Sequence, residues 1–181
     1  MNEALAPKNW QSAAALTIDS IFDATGISPA SSAPDQSARM TMLLPAFDNI
    51  VQLIFQDKSD ENEILEEEFF DLAVIAFTAF CDEANLTHRV AINQIFDTVI
   101  GKQKMYGHGN IARFGLEGIA VRLNDKIERL INLSKHDGPV LFEPLIDTWL
   151  DIVGYSLIAI MWIRGWFMLP LTTDKKNTSD I

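Results

Sequence analysis

Apolar side chains recur every three or four residues through most of this chain, the spacing that buries one face of a helix, and five segments carry it in turn. Phe47, Ile50, Val51, Ile54 and Phe55 mark the first, which starts at Pro45 and is closed by the polar run at 57–62. A second helix is predicted from about Asn62 to Glu83. Ser59 or Asp60 is placed to cap it, and Glu61, Glu63, Glu66, Glu67 and Glu68 give its first turns the negative charge that suits a helix N-terminus. The third has Thr87 as N-cap and carries Val90, Ile92, Ile95, Phe96, Val99 and Ile100 to about Gly101, where a glycine-punctuated loop over 102–110 follows. The fourth, from about Ile111 to Leu133, shows the stripe Ile119, Leu123, Ile127 and Leu130. After a turn at 134–139 the fifth runs from about Leu141 to Trp162. With no strand-like alternation, heptad array or internal repeat, the pattern predicts an all-α fold: an antiparallel bundle of about five helices over residues 47–168. Residues 1–46, which include a Pro-, Ser- and Ala-rich stretch at 25–37, read as an irregular N-terminal arm with room for one short helix, and 169–181 as a polar C-terminal tail.

Composition narrows this picture. A chain of 181 residues, 48% hydrophobic and 22% charged, is sized for one domain with a substantial core. Its formal net charge of -11 argues against a nucleic-acid polymer as partner, since such binders neutralise phosphates with a basic footprint. The charge is uneven, however: residues 1–86 carry a net -12 and residues 87–181 a net +1. Mixed charge in the second half suits a small anionic molecule better than a polyanion. The single cysteine, Cys81, excludes an internal disulfide and agrees with a reducing cytoplasm. Residues 152–171 are apolar enough to raise the question of a membrane span, but Arg164 interrupts them, Pro170 ends them, and Asp147 and Asp151 continue the same helix upstream. A buried core helix with no membrane partner is the expectation, and the start of the chain shows no basic-then-apolar secretory pattern.

Candidate chemistry lies in the same second half. Glu143, Asp147 and Asp151 are four residues apart, and each step of four advances only about 40° around a helix, so the three carboxylates share one stripe beside the apolar arc. Arg122, Asp125, Lys126 and Arg129 lie on one side of the preceding helix, and the short turn between the two predicts antiparallel neighbours with facing charged stripes. Such stripes serve one of two ends. Asp125 with Glu128, and Asp147 with Asp151 and Glu143, offer hard oxygen ligands for Mg²⁺. Alternatively, Arg122, Lys126 and Arg129 pair with the carboxylates as buried ions usually must. A second candidate is the loop Met105 to Asn110. Its glycines let backbone amides turn toward an anion, Tyr106 is suited to stack on a base, and His108 and Asn110 can donate to phosphate or ribose. The plainer reading of that loop is a connection in which Gly107 and Gly109 take positive φ and Asn110 caps the next helix. No zinc-like His/Cys spacing and no Ser/His/Asp arrangement is legible.

The stretch from Lys104 through Tyr106, Gly107, Gly118, Arg122, Asp125, Lys126 and Arg129, followed by Glu143, Asp147, Thr148, Asp151 and Tyr155, resembles the nucleotide-modification-associated domain family found largely in bacteriophages. The resemblance covers roughly residues 95–168, with Met105 where the family has Asp and Pro144 where it has Ser. That family in turn looks like a relative of the all-α nucleoside triphosphate pyrophosphohydrolases, which bind Mg²⁺ through acidic pairs on adjacent helices. The resemblance implies a Mg²⁺-dependent nucleotide pyrophosphohydrolase of phage nucleotide metabolism, acting in the host cytoplasm. Asp125 and Glu128 would be the first acidic pair, one of them the base for the attacking water. Asp147 and Asp151 would be the second pair. Arg122, Lys126 and Arg129 would neutralise the developing charge. Two other readings stand beside it: a non-catalytic nucleotide-binding or sequestering module, and a helical interaction protein. A homo-oligomer is expected in each case, because the segments 69–80 and 149–163 are long and apolar for one small bundle.

Overall fold

The computed structural model describes residues 6–24, 36–56, 62–135 and 144–172, and every regular element among them is helical. In chain order these are α1 (Trp10–Ala24), α2 (Gln36–Phe55), α3 (Asn62–Glu83), α4 (His88–Tyr106), the single turn α5 (Gly109–Ala112), α6 (Gly115–Ser134) and α7 (Leu145–Ile163). The helical bundle read from the sequence is the fold found, with seven helices described instead of about five.

α7 is the axis of the molecule. It packs against α1, α3, α4 and α6, and Trp149, Ile152, Leu157 and Ile160 are fully enclosed. It is long and apolar enough to cross a membrane by length and composition, and 61% of that apolar window is buried against its neighbours within the chain. Ion pairs fix the helix directions. Arg164, at the C-terminal end of α7, donates from Nε (2.9 Å) and Nη2 (2.7 Å) to Glu66 in the first turns of α3, so α3 and α7 run antiparallel. Arg39 near the start of α2 pairs with Asp82 at the end of α3, which sets those two antiparallel as well.

Four sequence expectations are corrected. First, the N-terminal arm holds a full helix. Asn9 caps α1, its Oδ1 accepting from the Ser12 amide at 2.8 Å, and Trp10, Ala13, Ala14, Thr17, Ile18 and Ile21 form a buried face. Second, α2 begins nine residues before Pro45 and runs through it. Met40, Leu43, Ala46, Phe47 and Ile50 keep one buried face on both sides of the ring, and their burial outweighs the backbone hydrogen bond that proline cannot make. Third, α4 continues past Gly101 to Tyr106, and its buried residues are Ala91, Ile95, Val99, Ile100 and Gln103, while Val90 is exposed. Fourth, residues 169–172 are fastened to the body and do not begin a free tail. Trp10 N–H donates to Pro170 O at 3.0 Å, and the Gln11 side chain makes two hydrogen bonds with the backbone of Thr172. Ser59, Asp60, Glu143, the Pro-rich stretch at 25–35 and the tail from 173 onward lie outside the described residues.

The fourth helix of the sequence reading is divided in the structure into α5 and α6. Gly115, at φ +54°, turns the chain between them, and a Cβ there would stand 3.3 Å from the Trp162 ring. A side chain would be strained both by that backbone angle and by the ring. The stripe Ile119, Leu123, Ile127 and Leu130 is buried as expected.

Candidate functional site

Where α4 ends, its last two turns face α7 across a small cleft of about 70 Å³. Lys102, Gln103 and Tyr106 come from α4, Asn110 from α5, and Asp151 and Tyr155 from α7. Val99, Ile111, Leu150 and Ile158 give it apolar walls. Gly107 ends α4 at φ +63°, its N–H bonded to Gln103 O, and this left-handed turn lays α5 along the end of the cleft.

The electrostatics centre on Asp151. Lys102 from α4 donates to its Oδ1, and Lys126 from α6 lies 2.8 Å from its Oδ2. The Asp151 side chain is 15% exposed. Burial alone would raise its pKa. The hydrogen bonds from Lys102 and Lys126, with their positive charges, outweigh that and hold the carboxyl below its ordinary value. Lys102, whose side chain is 51% exposed, places its ammonium group at the rim. Deeper in, Gln103 is 6% exposed, and its Nε2 has no hydrogen-bond partner among the described residues.

The structure brings together some of the residues read from the sequence and separates others. Tyr106, Asn110, Lys126 and Asp151 belong to the cleft or its edge. His108 does not face it. Its Nε2 lies 3.0 Å from Leu169 O, and since a carbonyl can only accept, that nitrogen donates; the ring also meets Phe167 edge-on. His108 thus anchors the C-terminal segment. Asp125 and Arg122 are exposed and line a shallow groove on the outer side of α6 with Phe114 and Val121. Glu128 is also exposed, and Asp147 is exposed in the first turn of α7, where its charge suits the helix dipole. Arg129 is half-buried on α6 and has interactions of its own. Among the described residues no three His, Cys, Asp or Glu side chains form a group able to hold a metal ion, and both oxygens of Asp151 are engaged by lysines. For this member of the ladder, the ion-pair arrangement is the one found.

Lys102, Gln103 and Tyr155 are site residues that the sequence reading passed over. A signal for the first two was present: Thr98, Lys102 and Tyr106, and likewise Val99, Gln103 and Gly107, are each spaced by four and continue the α4 face. Cys81, the lone thiol, is buried, and burial, then the charge of Asp82, push its pKa up to about 12, so it offers no nucleophile at neutral pH. Comparison with protein-family models, with curated proteins and with solved structures finds no match to this chain.

Proposed function

We propose that this protein binds a nucleotide in the cleft between α4, α5 and α7. The observation that carries the reading is the pairing of a cationic rim with apolar walls in one cleft: Lys102 at the mouth, Val99, Ile111 and Ile158 on the walls, and Tyr106 and Tyr155 alongside. A phosphate takes an ammonium partner at the rim, where water still reaches it, and a base gains from apolar walls and aromatic faces. The resemblance over residues 95–168 supports the same ligand class. Titration calorimetry with nucleoside mono- and triphosphates, with and without Mg²⁺, tests it. Binding is expected, weakened about tenfold by Lys102→Ala, as the loss of one charge-assisted contact implies. If no nucleotide binds, or if Lys102→Ala binds as well as the wild type, the proposal is wrong.

Mg²⁺-dependent release of pyrophosphate is a separate and more demanding proposal. It rests on the resemblance alone. Turnover of a nucleoside triphosphate that requires Mg²⁺ and disappears in Asp147→Asn would establish it, and binding without turnover would leave a sequestering or presenting module. The expectation of a homo-oligomer started from the apolar length of segments 69–80 and 149–163. α3 and α7 pack on each other and on α1, with Val74, Ile75, Ile158 and Trp162 left half-buried. Sedimentation of the full chain decides whether a second copy also associates.

A further inference from the structure

Independently of the nucleotide reading, we infer that two copies of this protein associate through the outer face of α6, with the two α6 helices parallel across a two-fold axis. The inference starts from side chains that folding leaves uncovered. Phe114 is 64% exposed and Val121 56%, and with Gly118 between them they border the shallow groove that Arg122 and Asp125 also line. The chain is built to hold that ring outside. A Cβ at Gly118 would stand 2.7 Å from the Cβ of Phe114, so any other residue at 118 would push Phe114 off its place, although glycine within a helix is destabilising relative to alanine. Phe114 also borders a second groove, lined by Leu53, Ile54, Leu65 and Trp162. Exposed apolar surface therefore continues from α6 toward α2, and a continuous patch of this kind marks a contact surface.

Spacing and charge say what covers this face. Positions 114, 118, 121 and 125 are separated by four, three and four residues, the repeat with which one helix seats along another. Glu117 and Arg122, both exposed, flank that stripe on opposite sides. In a parallel pair of identical helices, a flanking residue lies across from the one five positions further on in the second copy. Glu117 of each copy then meets Arg122 of the other, and the contact forms twice, as a two-fold interface requires. An antiparallel pairing would instead bring Glu117 toward Glu117 and Arg122 toward Arg122. The balance of charge also favours a second copy as the occupant. The chain carries a net -11, so most of its surface repels a copy, whereas on this face Arg113 and Arg122 cancel Glu117 and Asp125. Gly118 lets the helices approach closely, and Phe114 and Val121 each pack on their own counterparts. Asp125 ends the stripe with like charges near each other, and a contact along two turns of helix is smaller than the about 800 Å² per partner of a standard interface. The groove beside Phe114 extends the contact, and the dimer is one of modest affinity.

Sedimentation equilibrium of the full chain from about 5 to 200 µM, a range that covers dimers of modest affinity, tests this. A monomer–dimer equilibrium is expected. Glu117→Arg and Arg122→Glu are each expected to weaken it about tenfold, because two ion pairs per dimer become two repulsions. The double substitution, and an equimolar mixture of the two single variants, are expected to return to within about threefold of the wild type. Phe114→Ala is expected to weaken the dimer as well. All three side chains are exposed, so the circular dichroism spectrum of each variant is expected to match that of the wild type, which separates lost association from lost fold. A protein that stays monomeric throughout the range, single variants that associate as well as the wild type, or a double substitution that restores nothing overturns the inference. Each of these outcomes leaves nucleotide binding in the cleft standing.

Discussion

At Asp151 the charge state and the architecture are the same question. Lys102 and Lys126 reach it from two different helices, so its negative charge joins α4 and α6 to α7. With its folded-state pKa held below the ordinary 3.8, the carboxylate stabilises the fold fully above that value and loses its contribution as the pH falls through the lower folded pKa. Asp151→Asn is expected to cost about 1–3 kcal/mol at pH 7, the range for hydrogen bonds to charged groups and for partners left unmade. The gap between wild type and variant should close as acid takes the protein below pH 3.8. Urea unfolding over a pH series measures it, and a gap that persists unchanged into acid would contradict this account of the pair. The carboxylate ladder was legible in the sequence because a spacing of four is a geometric statement. Its partner Lys102 was not, since Gly101 reads as a helix end, and whether a glycine ends a helix depends on what packs beyond it.

The same limit appears on the scale of whole helices. The stripe of α6 was plain because four apolar residues stand among charged ones, and each of them is buried. α1 and the first half of α2 were hidden by local signals: Pro45 reads as a helix start, and the Pro, Ser and Ala content nearby reads as an arm. In the structure Pro45 is an exposed interior residue of α2. Its ring removes the hydrogen bond to the carbonyl of Thr41 while contributing no core packing. Tertiary burial of Leu43, Ala46 and Phe47 holds the helix across the defect. Pro45→Ala should therefore stabilise the protein by about 1–2 kcal/mol, the restored helix propensity being partly offset by the looser unfolded chain. A melting temperature that does not rise in the variant would mean that the shape of α2 at this point is set by the ring and needed by its neighbours.

For the molecule as a whole, the main revision concerns what covers the centre. Read alone, α3 and α7 are long and apolar for one small bundle, which is why a second copy enters the sequence reading. α1 answers much of that demand from inside the chain. Trp10 has no exposed surface, meets Phe167 edge-on with ring centroids 6.4 Å apart, and opens a helix that packs on α3, α4 and α7. The C-terminal segment closes over the same place through Pro170 O and the clasp between Gln11 and Thr172. If α1 belongs to the core, truncating its central side chain must cost what core truncations cost, about 3–5 kcal/mol for Trp10→Ala. Gln11→Ala cuts only the clasp, whose members are exposed, and should cost less than about 1.5 kcal/mol. Chemical denaturation of the two variants side by side separates the alternatives. A Trp10→Ala cost no larger than that of Gln11→Ala would make α1 an appendage and return the burial of α7 to a partner. A cost several-fold larger would mean that the cleft between α4, α5 and α7 rests on a core to which the N-terminal helix is essential.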